Sequence, residues 1–216
     1  MPTRHIEVLI PASHVKLEGT LSLPEKAIGV VAFAHGSGSS RHSPRNRYVA
    51  EALQGKRIAT LLFDLLTARE DQTYETRFDI GLLTERLLAA IAWLEGNAET
   101  KGMKIGCFGA STGAAAALQA AAKHPTVAAV VSRGGRPDLA GREALSKVKA
   151  PTLLIVGGWD DVVIELNQQA FDLLHCEKKL EIVPGATHLF EEPGTLEQAA
   201  EHAARWFQLH LAGASK

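Results

Sequence analysis

The first apolar positions of the chain alternate with polar ones. Val8 to Ile10 and Val15 to Leu23 read as two half-buried strands, and the turn of Pro11, Ala12 and Ser13 between them predicts an antiparallel pair. Pro24 ends the second strand, and the pattern then changes. Ile28 to Ala34 is an unbroken apolar run of strand length, as expected of a strand covered on both faces.

From there strand-length runs and helix-length amphipathic stretches take turns. Ser43-Pro44 supplies an N-cap and a first-turn proline for a helix running through Leu53, and Gly55 ends it. Ile58 to Phe63 is the next buried strand, stopping at Asp64, and the polar run Thr67 to Thr76 is a loop. Phe78, Leu82, Leu83, Leu87, Ala90, Ile91 and Leu94 form the apolar face of a long helix. Met103 to Phe108 is a strand, and the alanine-rich stretch Ala114 to Lys123 predicts a helix packed closely in the middle of the fold. Strands at Val127–Val131, Thr152–Val156 and Leu180–Val183 then alternate with helices at Leu139–Lys147, Val163–Leu174 and Leu196–His210. Thr195 and Gln198 have the spacing of a capping box at the start of the last helix. Eight strands and six helices, antiparallel at first and βα-repeating afterwards, predict an α/β fold whose mostly parallel sheet is flanked by helices. No internal repeat, low-complexity linker or composition break divides the sequence, so residues 1–216 read as one domain.

Composition removes several function classes. The formal net charge of −1 gives no general footprint for nucleic acid or an acidic membrane. The nine histidines are scattered, with no His-x-x-x-His pair, so no metal site is expected. Two cysteines, Cys107 and Cys176, lie far apart; Cys107 sits in an apolar strand and reads as a small core residue. The amino terminus goes directly into strand-like alternation without a signal-peptide core, and no apolar run reaches membrane-spanning length. A soluble, cytoplasmic protein without a disulfide framework is the expectation.

The chemistry gathers after the buried strands, where sites in such sheets lie. His35-Gly36-Ser37-Gly38 follows Ala34, and Asp64 follows Phe63. Gly109-Ala110-Ser111-Thr112-Gly113 follows Phe108, and Arg133-Gly134-Gly135-Arg136 comes soon after Val131. Gly157-Gly158-Trp159-Asp160-Asp161 follows Val156, and Pro184-Gly185-Ala186-Thr187-His188 follows Val183. A Gly-x-Ser-x-Gly turn between strand and helix suits an exposed nucleophile, because a Cβ at either glycine would crowd the turn. The same turn also reads as an ordinary helix entry with Ser111 as cap; the chain order Ser, acid, His on successive loops favours the nucleophile.

On His35-Gly36-Ser37-Gly38, Gly109-Ala110-Ser111-Thr112-Gly113, Gly157-Gly158-Trp159-Asp160 and Gly185-Ala186-Thr187-His188 the chain resembles the α/β-hydrolases, close to their dienelactone hydrolase-like branch, over almost its whole length. The resemblance implies an α/β-hydrolase fold with Ser111 as nucleophile, His188 as general base and then acid, and Asp160 as the acid that orients the imidazole. Asp161 is the rival to Asp160, and whichever is not used is expected to cap the following helix. The oxyanion hole implied is the backbone N–H of Thr112 with that of Ser37. His35 is expected to anchor its loop. Dienelactone hydrolases use a cysteine nucleophile, so Ser111 shifts the expectation to a serine esterase acting on small carboxylic esters or thioesters, without cofactor. The short connection from Val131 to Pro151 leaves no room for a large cap domain and predicts an open site.

His35, Arg41, Arg133 and Arg136 are candidate substrate contacts; Arg41 with Arg45 and Arg47, and Arg133 with Arg136, would suit a carboxylate or phosphate, and read equally as solvated charge and structural pairs with nearby acids. The partner expected is a small-molecule ester, with no nucleic acid and no membrane, and the oligomeric state stays open. Two other classes compete. Gly36-x-Gly38 after a buried strand faintly imitates a dinucleotide fingerprint, but Arg41 replaces its third glycine. The same fold also serves as a non-catalytic binding or interaction module, a reading weakened by the presence of every triad member.

Overall fold

The opening hairpin is longer than its alternation predicts. In the computed structural model, which describes residues 2–212, β1 (Thr3–Ala12) and β2 (Val15–Pro24) pair antiparallel along their whole length, with Ala12 opposite Val15. The turn is therefore Ser13-His14 alone, and Ser13 takes φ +57°, the sense a two-residue hairpin turn requires.

The rest of the chain builds β3 (Val30–Ala34), α1 (Pro44–Gly55), β4 (Ala59–Phe63), α2 (Ile80–Gly96), β5 (Ile105–Ala110), α3 (Thr112–Lys123) and β6 (Val127–Arg133). It continues with α4 (Arg142–Lys147), β7 (Thr152–Gly157), α5 (Asp161–Leu173), β8 (Lys178–Val183) and α6 (Thr195–Leu211). The eight strands form one sheet in the order β1-β2-β4-β3-β5-β6-β7-β8, antiparallel where β2 meets β1 and β4, parallel elsewhere. After β3 the chain crosses to one side to make β4, then returns to the other to make β5. The switch point between β3 and β5 opens a crevice at their carboxyl ends.

Each sheet face has its own core. Val49, Leu53, Ala203 and Phe207 of α1 and α6 pack with Val31, Phe33, Phe108 and Ile155 on one face. Leu87 and Ile91 of α2, Ala116 and Leu118 of α3 and Ala170 of α5 cover the other. In α3 every residue from Thr112 to Leu118 is buried, so its alanines do allow the close, central packing that they predict. Cys107 lies wholly buried in β5, where desolvation pushes its thiol up to about 12. Among the described residues, no helix is long and apolar enough to cross a membrane.

Three local expectations change. The loop after β4 contains 3-10 turns at Glu70–Gln72 and Glu75–Phe78. Asp79 caps α2 by accepting from the Leu82 N–H at 3.0 Å, which leaves Phe78 outside the helix and partly exposed. No capping box forms at α6, because Gly194, at φ +81°, takes the N-cap position. The Thr195 hydroxyl turns back to the Glu192 carbonyl at 2.7 Å, and the Gln198 amide reaches the Gly194 carbonyl at 3.1 Å.

Candidate active site

Ser111 alone joins β5 to α3, at φ +50° and ψ −122°. A side chain in that region is strained and persists only where its surroundings fix it. Here the Ser111 carbonyl accepts from the Arg136 N–H at 3.0 Å and the Ala114 N–H at 3.1 Å. Two glycines make the turn possible. A Cβ on Gly109 would lie 2.4 Å from Ala114 Cα, and one on Gly113 would lie 2.1 Å from the Ala34 carbonyl oxygen. Ser111 occupies the N-cap position of α3, but its side chain makes no capping bond. The hydroxyl is thus not spent on the helix.

The acid and the histidine arrive from β7 and β8. The Asp160 carboxylate accepts from His188 Nδ1 at 2.7 Å; the acid is largely buried and the ring is about one-third exposed. Asp160 sits at the N-cap position of α5 without bonding its N–H groups, so its carboxylate serves the histidine. Asp161 is the first residue of α5 and does not cap it, contrary to expectation. The two loops are packed together. A Cβ on Gly157 would meet the Ala186 carbonyl at 2.4 Å, and the Trp159 N–H donates to that same carbonyl at 2.9 Å. Glu192 braces the far side by accepting from the Thr187 N–H at 3.0 Å and hydroxyl at 2.7 Å, contacts that hold its carboxyl below the usual range. No sequence motif marks Glu192.

Ser111 and His188 line one cleft of about 270 Å³, together with Ser37, Ser39, Asn46 and Arg133. A larger hollow of about 430 Å³, lined by Gln54, Arg57 and Gln208, holds no such pair of groups. Thr112 opens α3, where its N–H has no acceptor within the helix. The Ser37 N–H is engaged: it donates to the Thr112 hydroxyl at 2.9 Å. Thr112 therefore ties the two expected oxyanion donors to each other, a link the motif does not reveal.

Of His35, Arg41, Arg133 and Arg136, Arg133 alone lines this cleft, where Arg45 joins it. Arg41 is turned away, paired with Asp64 and with Glu18 of β2 (2.7 Å to Glu18), and lines a separate hollow beside His42 and Arg47. Arg136 forms a two-pronged pair with Asp138 at 2.9 and 2.8 Å. His35 is buried, donating from Nδ1 to the Gly36 carbonyl (3.0 Å) and accepting the Leu65 N–H at Nε2 (3.0 Å). Those two bonds define a neutral ring that anchors its loop, and His35 does not line the Ser111 cleft. Among the described residues, no group of three or more His, Cys, Asp or Glu side chains is placed to hold a metal ion.

Burial lowers the His35 pKa below its ordinary value. The unfolded chain then takes up this proton first as pH falls, so the stability is fully present above about pH 6.5 and is lost below it. Thermal melts from about pH 7.5 down to about 5.5 should show Tm falling, and falling less steeply in His35→Gln. His210, also lowered by burial, adds the same trend to both proteins. An unchanged slope in the variant would remove His35 from the account.

The sheet order, the strained serine turn and the His–Asp pair define an α/β-hydrolase. A model of the dienelactone hydrolase family matches residues 48–211, and the chain belongs to that family. It is 56% identical to a dienelactone hydrolase from Anabaena variabilis whose crystal structure superposes with TM-score 0.95, covering 97% of this chain and 99% of that one. An esterase domain from Rhodothermus marinus, 20% identical, shares the fold at TM-score 0.78, over 98% of this chain and 100% of that one. A Mycobacterium tuberculosis protein carrying the provisional name phosphoribosyl transferase is 58% identical over 213 residues, 98% of this chain. The chain spans 48% of that relative, about half its length.

Proposed function

We propose that the chain is a serine hydrolase of small carboxylic esters or thioesters, acting through Ser111, His188 and Asp160. One observation carries the reading: Ser111, strained and free of any capping bond, shares a cleft with an imidazole tethered to a carboxylate at 2.7 Å. Nδ1–H bound to Asp160 leaves Nε2 unprotonated, so the ring can take the Ser111 proton as Oγ attacks the acyl carbon. The tetrahedral oxyanion is met by the Thr112 N–H and by the Ser37 N–H, which must then be shared with or released from the Thr112 hydroxyl. His188 returns its proton to the leaving alcohol or thiol. Water, deprotonated by the same ring, then frees the acid and restores Ser111. The connection between β6 and β7 carries only a 3-10 turn at Pro137–Ala140 and α4, which suits an uncapped site and small substrates.

A fluorophosphonate probe tests this directly. The expected result is one covalent adduct by intact-protein mass spectrometry, absent in Ser111→Ala, together with aryl-ester hydrolysis that the same variant abolishes. Folded wild-type protein that neither labels nor hydrolyses would instead mark a binding module on the hydrolase fold. The phosphoribosyl name belongs to a relative of twice the length; transfer chemistry in this chain would require turnover that survives Ser111→Ala.

A further inference from the structure

The Ser111 cleft contains a cation, Arg133, that pairs with no acid among the described residues. Arg133 is the last residue of β6, paired in register with Ala110 at the end of β5, and only 7% of it is exposed. Its Nη2 donates to Asn46 Oδ1 at 3.3 Å. Its guanidinium carbon lies 5.9 Å from the Phe108 ring centroid and 5.8 Å from that of Phe190. Its Nη1 is buried and has no hydrogen-bond partner among the described residues. Among the described residues no carboxylate stands within salt-bridge distance, in contrast to Arg41, Arg86 and Arg136 of the same protein. Desolvation and the nearby Arg45 lower its pKa to about 10, which still leaves it charged at neutral pH.

A buried, unpaired cation is costly, and two aromatic faces return only part of that cost. A hydrophobic residue would fill the position at no such penalty, so a bound anion is the natural account of the arginine. The surroundings agree. The amino end of α1 contributes Ser43, Arg45 and Asn46 to the same cleft, and its dipole favours negative charge there. The nearest carboxylate to Arg45 is the exposed Glu191, at 3.5 Å. Two guanidinium groups and a helix amino terminus thus share a small cleft, while the other acid of the site, Asp160, is already engaged by His188.

We propose that the cleft holds its substrate by a phosphate group, bound between Arg133, Arg45 and the amino end of α1, while Ser111 attacks a carboxylic ester elsewhere in the same molecule. The ester half of this statement rests on the proposed function; the phosphate half does not. Phosphate is preferred to carboxylate by charge. A phosphomonoester carries nearly two negative charges at neutral pH and can pair with Arg133 while competing with the exposed Glu191 for Arg45, whereas a carboxylate's single charge is met by Arg133 alone. At about 270 Å³ the cleft takes a phosphate and a short acyl group.

Inorganic phosphate is the probe, and binding is read without turnover. Calorimetry and thermal shift on wild type and on Ser111→Ala should both show phosphate binding and a Tm that rises with its concentration. Arg133→Met should weaken phosphate binding about tenfold or more, and in phosphate-free buffer its Tm should equal or exceed that of wild type. A purely structural arginine would instead lower Tm when replaced. Arg45→Gln, at a half-exposed position, should weaken phosphate binding several-fold and covers the case in which the Arg133 variant does not fold. Acetate and succinate form the carboxylate arm. Binding of either as tightly as phosphate overturns the phosphate assignment, and absence of anion binding in wild type overturns the subsite. Loss of hydrolysis with phosphate binding intact would instead count against the proposed function alone.

Discussion

Asp160→Asn should lower kcat for a small aryl ester by about 10⁴-fold with little change in Tm, while Asp161→Asn should keep kcat within about twofold. The difference lies in one contact. Asp160 accepts from His188 Nδ1 at 2.7 Å, and in the proposed mechanism this contact keeps the proton on Nδ1 and Nε2 free to act as base. An asparagine there can present its N–H₂ to Nδ1 and select the opposite tautomer, so that Nε2 carries a proton and cannot receive one. It also removes the charge that stabilises the imidazolium in the transition state. Asp161 lies exposed in the first turn of α5, where losing its charge costs a dipole interaction of about 0.3–1 kcal/mol. Steady-state kinetics beside thermal melts for both variants decide between the two acids. An active Asp160→Asn with an inactive Asp161→Asn would transfer the role to the neighbour.

The serine turn was legible because its glycines record steric contacts in the sequence itself. Gly109 and Gly113 stand where the helix and the β3 loop leave no space for a Cβ, so their spacing encodes geometry. The same holds for Gly157, which marks the approach of the His188 loop to the end of β7. Burial period and chain order similarly carried the eight strands and their mostly parallel pairing.

What sequence could not say is which way a long side chain points. Arg41 follows the Ser37 loop closely, yet Asp64 and Glu18 draw it away, and Glu18 belongs to a strand remote in sequence. Arg133 lies at the end of the strand beside that of Ser111, and its direction into the cleft is set by the pairing of Ala110 with Arg133. The partners of the site were equally hidden. Asn46, Glu192 and the Thr112 hydroxyl act through contacts across 87, 5 and 75 positions of chain, with no pattern around them to announce it. At α6, Gly194 displaced the capping box because a glycine at positive φ turns the chain without a side-chain acceptor.

Gly113→Ala is the substitution expected to harm the fold most for its size. The added Cβ would lie 2.1 Å from the Ala34 carbonyl oxygen and 2.6 Å from the His35 carbonyl oxygen. Both obstacles are backbone, so no rotamer change relieves them, and α3 is too deeply buried to retreat. Overpacking of this kind costs about 3 kcal/mol, which for a domain of this size lowers Tm by about 6–12 °C. Gly96→Ala is the control: beyond its chain neighbours and its own helix backbone nothing lies within 4 Å of its added Cβ, at the end of α2, and alanine there should be neutral or stabilising by less than about 1 kcal/mol. The clash also predicts a functional loss beyond the stability change. Ala34 and His35 lead into the loop carrying Ser37, so any relaxation that accommodates the methyl group shifts one expected oxyanion donor against Ser111. Gly113→Ala protein assayed well below its Tm should therefore show lowered kcat with KM little altered. A variant that melts like wild type would show that the close approach of α3 to the β3 loop is not the constraint that holds the Ser111 turn in place.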